Sequence, residues 1–177
     1  MRGVLTHSSL MMYQNKHLGL VVAAVLIVGC SATQPTTAVF SSIEVVEVID
    51  GDTIRAQVAG TTETIRLVGV DTPETKHPTK GVQCFGPQAT EFLAKMLPVG
   101  TTLRIERDQE ARDAFGRLLL YLFRPVNGGE WFVNFELVRR GYGKPLHIEP
   151  NSRYRDTFLA GAFEAQRNQR GLWKWCK

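Results

Sequence analysis

Three cysteines, Cys30, Cys84 and Cys176, are all that the 177-residue chain carries, too few for a disulfide-stapled miniprotein. The four histidines never fall at zinc-ligand spacing with one another or with a cysteine, so His77 and His147 read as isolated surface residues. Internal repeats and low-complexity tracts are missing, which excludes a solenoid or a collagen-like array. Charge of one sign is scarce as well. Lys+Arg 21 against Asp+Glu 17 gives a formal +4, and Arg2 and Lys16 of that excess lie in the first 29 residues. So small a balance does not by itself argue for a polyanionic partner. The one long apolar run, Leu18–Val28, falls short of the roughly 20 residues that cross a bilayer. Preceded by Arg2, Lys16 and His17, it fits the core of a signal peptide.

What is present divides the chain into three stretches. Residues 1–29 read as the signal peptide, with Met11 and Met12 as alternative starts. Residues 30–42 read as an anchor and polar tether, and residues 43–177 as one globular domain. The run ends in Ile27-Val28-Gly29-Cys30, which resembles a bacterial lipobox, so Cys30 is expected to carry lipid and hold the protein in the cell envelope. An ordinary signal peptide, secreted or periplasmic, and an uncleaved anchor are the alternatives. In an oxidising compartment Cys84 and Cys176 then remain as a pair. Joined, they close a long loop worth about 4–5 kcal/mol in the chain-entropy model; two free thiols are the other possibility.

Short β-branched runs dominate the first half of the domain. Ile43–Ile49 reads as a strand, Asp50-Gly51-Asp52 as a hairpin turn in which D-G supplies positive φ, Thr53–Val58 as a second strand and Thr64–Val70 as a third. Glu74–Gly86 is a polar loop of the length reserved for function. Pro87 opens a helix with Ala89, Phe92, Leu93, Met96 and Leu97 on one face. Strands Thr101–Arg107 and Arg117–Phe123 bracket the loop Asp108–Gly116. A second helix, Trp131–Arg140, turns Phe132, Phe135, Leu137 and Val138 inward and stops at Gly141. A third, about Ser152–Gln169, starts from a Ser cap and buries Phe158, Leu159, Ala162, Phe163 and Ala165. Trp173 and Trp175 are expected to cover the core edge near Cys176. The pattern predicts an α+β domain: a five-stranded OB-fold β-barrel with three α-helices.

Chemistry concentrates in Ile65–Pro78. Arg66 lies inside a strand, and Asp71 and Glu74 flank the Thr72-Pro73 turn that ends it. A structural ion pair would suffice for Arg66 and Asp71. The hydrolytic reading adds Asp52, placed at the same barrel end if strands two and three pair. Two carboxylates and the Thr72 carbonyl suit Ca²⁺, which takes about 6–8 oxygens, with waters or a substrate phosphate completing the shell. Arg66 and Arg117 have the planar fork that clamps phosphate oxygens, and Glu74 can hold a water for attack.

Five stretches carry a resemblance: I-D-G-D-T (Ile49–Thr53), R-L-V-G-V-D-T-P-E-T-K-H-P (Arg66–Pro78), K-G-V with G-P (Lys80–Pro87), D-A-F-G-R (Asp113–Arg117) and L-V-R-R-G-Y (Leu137–Tyr142). In order and spacing they resemble the staphylococcal nuclease family over about Ile43–Trp173. The resemblance implies calcium-dependent cleavage of DNA and RNA to 3′-phosphate ends, with single-stranded DNA and RNA as the expected substrates and a monomer as the expected state. A non-catalytic OB-type nucleic-acid or protein-binding module and an enzyme acting on another phosphodiester are the alternatives. The resemblance places Asp52, Asp71 and the Thr72 carbonyl on calcium, Arg66 and Arg117 on phosphate, Glu74 on the attacking water, and Asp50 behind the metal carboxylates. Substrate contacts fall to Lys144 and His147. Two departures stand out. Ala114-Phe115 replaces a Lys-Tyr pair, and His147 and Glu149 stand where the family has nucleoside-stacking tyrosines, so substrate affinity and base preference are expected to differ.

Overall fold

The computed structural model describes residues 41–76, 79 and 81–177. The expected signal peptide, Cys30, His77, Pro78 and Lys80 lie outside the described residues. The first strands follow from alternation: β1 (Ser42–Val48) and β2 (Thr53–Val58) turn every second side chain inward, burying Ile43, Val45, Ile54, Ala56 and Val58. They pair antiparallel across the Asp50-Gly51-Asp52 turn, closed by Ile49 N–H donating to the Thr53 carbonyl at 2.9 Å. Gly51 is there for closeness rather than positive φ: a Cβ would lie 2.6 Å from Thr72 Oγ1. The next turn does use the left-handed region, at Ala59 (φ 50) and Gly60 (φ 86).

β3 (Thr61–Leu67) starts and ends three residues earlier than the sequence suggests. The chain breaks at Gly69 (φ 83), where a side chain would enter the Phe158 ring, and restarts as the two-residue β4 (Val70–Asp71). After helix α1 (Gly86–Met96) come β5 (Thr102–Glu106) and β6 (Leu118–Val126). The sheet order β3-β2-β1-β5-β6 closes on itself through a parallel β3–β6 pairing, giving a five-stranded OB-type barrel. Its interior is apolar, with Ile65, Leu67, Leu103, Leu120 and Leu122 all fully buried.

Beyond the barrel the structure departs from expectation in four places. Residues 129–132 form β7 (Gly129–Phe132), a hairpin partner of β6, so α2 (Val133–Arg139) starts two residues later than its sequence pattern suggests. Strand β8 (Lys144–Pro145) pairs with β4. Helix α3 (Arg155–Arg167) has Tyr154 as its cap residue with no side-chain cap bond, and Ser152 serves only through its carbonyl. Phe158, Ala162 and Ala165 of α3 are buried, whereas Leu159 and Phe163 face solvent. A one-turn fourth helix, α4 (Leu172–Trp175), follows, and Trp175 is 66% exposed instead of covering the core. Cys84 and Cys176 form a disulfide, their Cα atoms 5.8 Å apart across a sequence separation of 92.

Asn134, fully buried on α2, locks these parts together. Its Oδ1 accepts the Leu122 N–H, and its Nδ2 donates to the Val68 and Leu120 carbonyls. Asn134→Ala orphans the buried Leu122 N–H and Val68 carbonyl at roughly 1–3 kcal/mol each, whereas the Leu120 carbonyl keeps the Val68 N–H. Urea denaturation should show a loss of at least about 2 kcal/mol; an unchanged midpoint would contradict the role.

Candidate active site

Register brings the predicted acids and arginines to one mouth of the barrel. Thr53 pairs with Arg66, and Leu67 N–H donates to the Asp52 carbonyl at 2.9 Å, so the start of β2 lies against the end of β3. Asp52 is 7% exposed and almost fully engaged: Oδ2 accepts the Thr72 N–H at 2.8 Å and the Thr72 hydroxyl at 2.9 Å, and Oδ1 accepts the Thr53 hydroxyl. Arg66 ties the Gly69 turn to both acids. Its Nη1 donates to the Leu67 and Val70 carbonyls at 2.7 and 2.8 Å, pinning both ends of the turn. Its Nη2 reaches Asp52 Oδ2 at 3.3 Å and Asp71 Oδ1 at 3.4 Å. Two carboxylates thus converge on a single nitrogen.

Asp71 projects outward, its side chain 60% exposed, while β4–β8 pairing sets Lys144 opposite it. Partial burial, and then the Asp52 charge, push the Asp71 carboxyl above the ordinary range, against the pull of Arg66 and Lys144. Asp50 is also raised, by burial first and Asp52 second, while its Oδ1 accepts the Asp52 N–H. The Glu74 carboxylate adds a last, weaker upward push to both. That carboxylate accepts the N–H groups of Thr75 and Lys76 at 2.8 and 2.7 Å. Among the described residues no three His, Cys, Asp or Glu side chains make a metal cage. An under-neutralised pair of carboxylates beside a main-chain turn fits a hard divalent cation that keeps part of its shell from water or substrate.

Arg117 arrives from the other side. It directly precedes β6, whose Leu118 pairs with Ile65, so both arginines sit on the closing seam of the barrel. The D-A-F-G-R segment is a self-built turn: Gly116 takes φ 79, and Asp113 accepts from the Phe115 and Arg117 N–H groups and from Arg117 Nε at 2.7 Å. Those bonds and the Arg117 charge overcome partial burial and hold Asp113 below the usual carboxylate range. Arg112 braces the turn by donating to the Gly116 carbonyl and pairing with Glu63. Asp113→Asn should therefore lower activity by about tenfold, as expected for loss of a supporting partner, with the Arg117→Ala variant insensitive to the same change; a full effect in that background would contradict the placement.

Arg66 and Arg117 line one cleft of about 370 Å³. Its apolar wall is Leu119, Leu146 and Ile148, with Ala114 and Gly69 at the edge. His147 turns instead into a neighbouring hollow of about 50 Å³ and bonds Glu149 through Nε2. Lys144 stays beside Asp71, its Nζ 5.8 Å from the Trp173 ring. Leu146 and Ile148 are the wall residues that sequence reasoning missed; their alternation about His147 was the available signal. Phe115, 84% exposed, stands within 5.4 Å of the Arg117 guanidinium carbon.

Comparison with known proteins shows the family of the chain. A family profile described as "Staphylococcal nuclease homologue" matches residues 64–175. The chain belongs to the staphylococcal nuclease family. It is 39% identical over 127 residues to a thermonuclease of Staphylococcus intermedius, covering 72% of this chain and 73% of that protein. It is 32% identical over 130 residues to a thermonuclease of Staphylococcus hyicus, covering 73% and 74%. The endonuclease YncB of Bacillus subtilis (strain 168) is 36% identical over 127 residues, 71% of this chain and 58% of that protein. The family profile begins at Thr64, so it includes Arg66, Asp71, Thr72, Glu74 and Arg117, whereas Asp52 lies before it.

Proposed function

We propose that this chain is a calcium-dependent endonuclease that hydrolyses phosphodiester bonds of DNA and RNA with little sequence preference and leaves 3′-phosphate ends. The observation that carries the reading is the convergence of Asp52 and Asp71 on Arg66, with Arg66 and Arg117 on a shared cleft. Asp52, Asp71 and the Thr72 carbonyl would hold calcium, which when bound polarises the phosphoryl group as a Lewis acid. Arg66 and Arg117 clamp the phosphate oxygens and neutralise charge that grows as the phosphorus becomes pentacoordinate. Asp113, bonded to Nε, leaves the Nη edge of Arg117 for that task. Glu74 takes a proton from the attacking water. The hydroxide adds to phosphorus, the bond to the 5′ oxygen breaks, that oxygen takes a proton from solvent water, and Glu74 returns its proton to solvent. Contacts confined to phosphate carry no sequence information, and the Leu146–Ile148 wall gives a base an apolar surface without hydrogen-bond readout.

The test is cleavage of single-stranded DNA and RNA with Ca²⁺, followed by chelation and end-group analysis. Metal-dependent fragments with 3′-phosphate ends support the proposal; chelator-resistant cleavage or binding without cleavage sinks it. Export as a monomeric envelope lipoprotein belongs to the same proposal and rests on the Leu18–Cys30 pattern. Among the described residues no helix is long and apolar enough to cross a membrane. Cys30→Ser should move the protein from the membrane fraction to the soluble one; retention would contradict lipid anchoring.

A further inference from the structure

The loop that carries Glu74 is tied to the rest of the protein at its far end. Gln83 clamps Glu74 from both sides of the main chain: its Oε1 accepts the Glu74 N–H at 2.9 Å, and its own N–H donates to the Glu74 carbonyl at 2.9 Å. Gly86 then passes so close that a Cβ there would lie 2.9 Å from the Pro73 carbonyl and 3.1 Å from the Glu74 carbonyl. Between Gln83 and that contact sits Cys84, bonded to Cys176.

Cys176 is a firm anchor. Its N–H donates to the Leu172 carbonyl at 2.9 Å, and Leu172, buried, donates its own N–H to the Gly141 carbonyl at 2.8 Å. Gly141 and Gly171 approach so tightly that a side chain on either would strike the other's main chain or that of Arg170. A continuous path therefore runs from the end of α2 through α4 and the disulfide to Gln83, and from Gln83 to the main chain of Glu74.

We infer that Gln83 and the Cys84–Cys176 disulfide act as a positioning device for Glu74, fixing the main chain from which its carboxylate meets the attacking water. The inference rests on the proposed role of Glu74. Contacts other than the disulfide also hold this segment. Phe85 packs on Tyr142 at 5.5 Å between ring centroids, and α1 holds its own face with Ala89 and Leu93 fully buried. Without the bridge, Gln83 keeps its hydrogen bonds but loses the covalent tether beside it, and Glu74 samples positions out of reach of in-line attack.

The experiment compares Cys84→Ser/Cys176→Ser, Gln83→Ala and Glu74→Gln, singly and combined, in the calcium-loaded protein. Small misplacements of a reacting group cost up to about 100-fold. The expected result is a fall in kcat of about 10- to 100-fold for each of the first two changes. KM and calcium affinity should stay within about twofold. In the Glu74→Gln background neither change should lower the residual rate further, whereas general loosening of the fold would lower it in any background. Should the cysteine variant misfold, Gln83→Ala, which keeps the disulfide, carries the same test. Full kcat in both variants overturns the inference, and so does a loss that persists in the Glu74→Gln background. Failure of the underlying reading looks different: Glu74→Gln itself then cleaves at the wild-type rate.

Discussion

Glu74→Gln is expected to abolish most hydrolysis while leaving calcium and nucleic-acid binding intact. The substitution keeps the shape of the side chain and one acceptor oxygen, so the bonds from Thr75 and Lys76 N–H can persist and the loop keeps its course. What disappears is the ability to take a proton. A positioned general base contributes roughly 10²–10⁴-fold, and kcat should fall by that factor. The clamp from Gln83 acts on the Glu74 main chain and is untouched by the change. KM should consequently move little, and single-turnover cleavage at saturating protein reads the effect directly. A variant that cleaves within about threefold of wild type would remove Glu74 from the chemistry and leave a calcium-held phosphate without an assigned base.

Arg66→Ala is expected to damage both fold and activity, and a comparison with Arg66→Lys separates the two. Arg66 and Asp52 are a mostly buried pair, with side-chain exposures of 13% and 9%. Removing one member of such a pair strands the other charge and costs about 3–5 kcal/mol. The Leu67 and Val70 carbonyls lose their donor as well, freeing the Gly69 turn that positions Asp71. On a domain stable by about 5–15 kcal/mol this is a large fraction. Calcium should restore part of the loss, since an ion bound only by the native state adds about 2.7 kcal/mol at 100 times its Kd. Arg66→Lys keeps the charge, so stability recovers in large part. Without the fork, however, phosphate is no longer clamped in two places, and kcat should stay down by about 10²–10³. Equal thermal stability of wild type and Arg66→Ala, or full activity of Arg66→Lys, would contradict these roles.

The sequence made the barrel legible because alternation in β1 and β2 and the short turns between strands are local signals. It made the acids and arginines legible because their spacing and residue types are chemically unusual. Four features escaped it for physical reasons. Asn134 looks like a mid-helix polar residue, and only the fold reveals that three main-chain groups converge on it. Leu159 and Phe163 lie at helical spacing just as Phe158 and Ala162 do, and periodicity alone does not say which of two adjacent stripes meets the barrel. Gly129–Phe132 carries too few residues to announce a strand, and it becomes one because β6 offers an open edge. Gln83 belongs to the same class: nothing local marks it, and its pairing with Glu74 across nine positions depends on how the loop closes.

In the proposed mechanism a divalent ion and two guanidinium groups act on one phosphate. Calorimetric titration of a nucleoside phosphate into the protein, with and without calcium, tests it most directly. Calcium is expected to tighten nucleotide binding, the nucleotide to tighten calcium binding by the same factor, and Asp71→Asn to erase this coupling. Arg117→Ala should weaken the nucleotide while leaving calcium affinity unchanged. Nucleotide binding that is indifferent to calcium, or to the loss of either arginine, would contradict the claim.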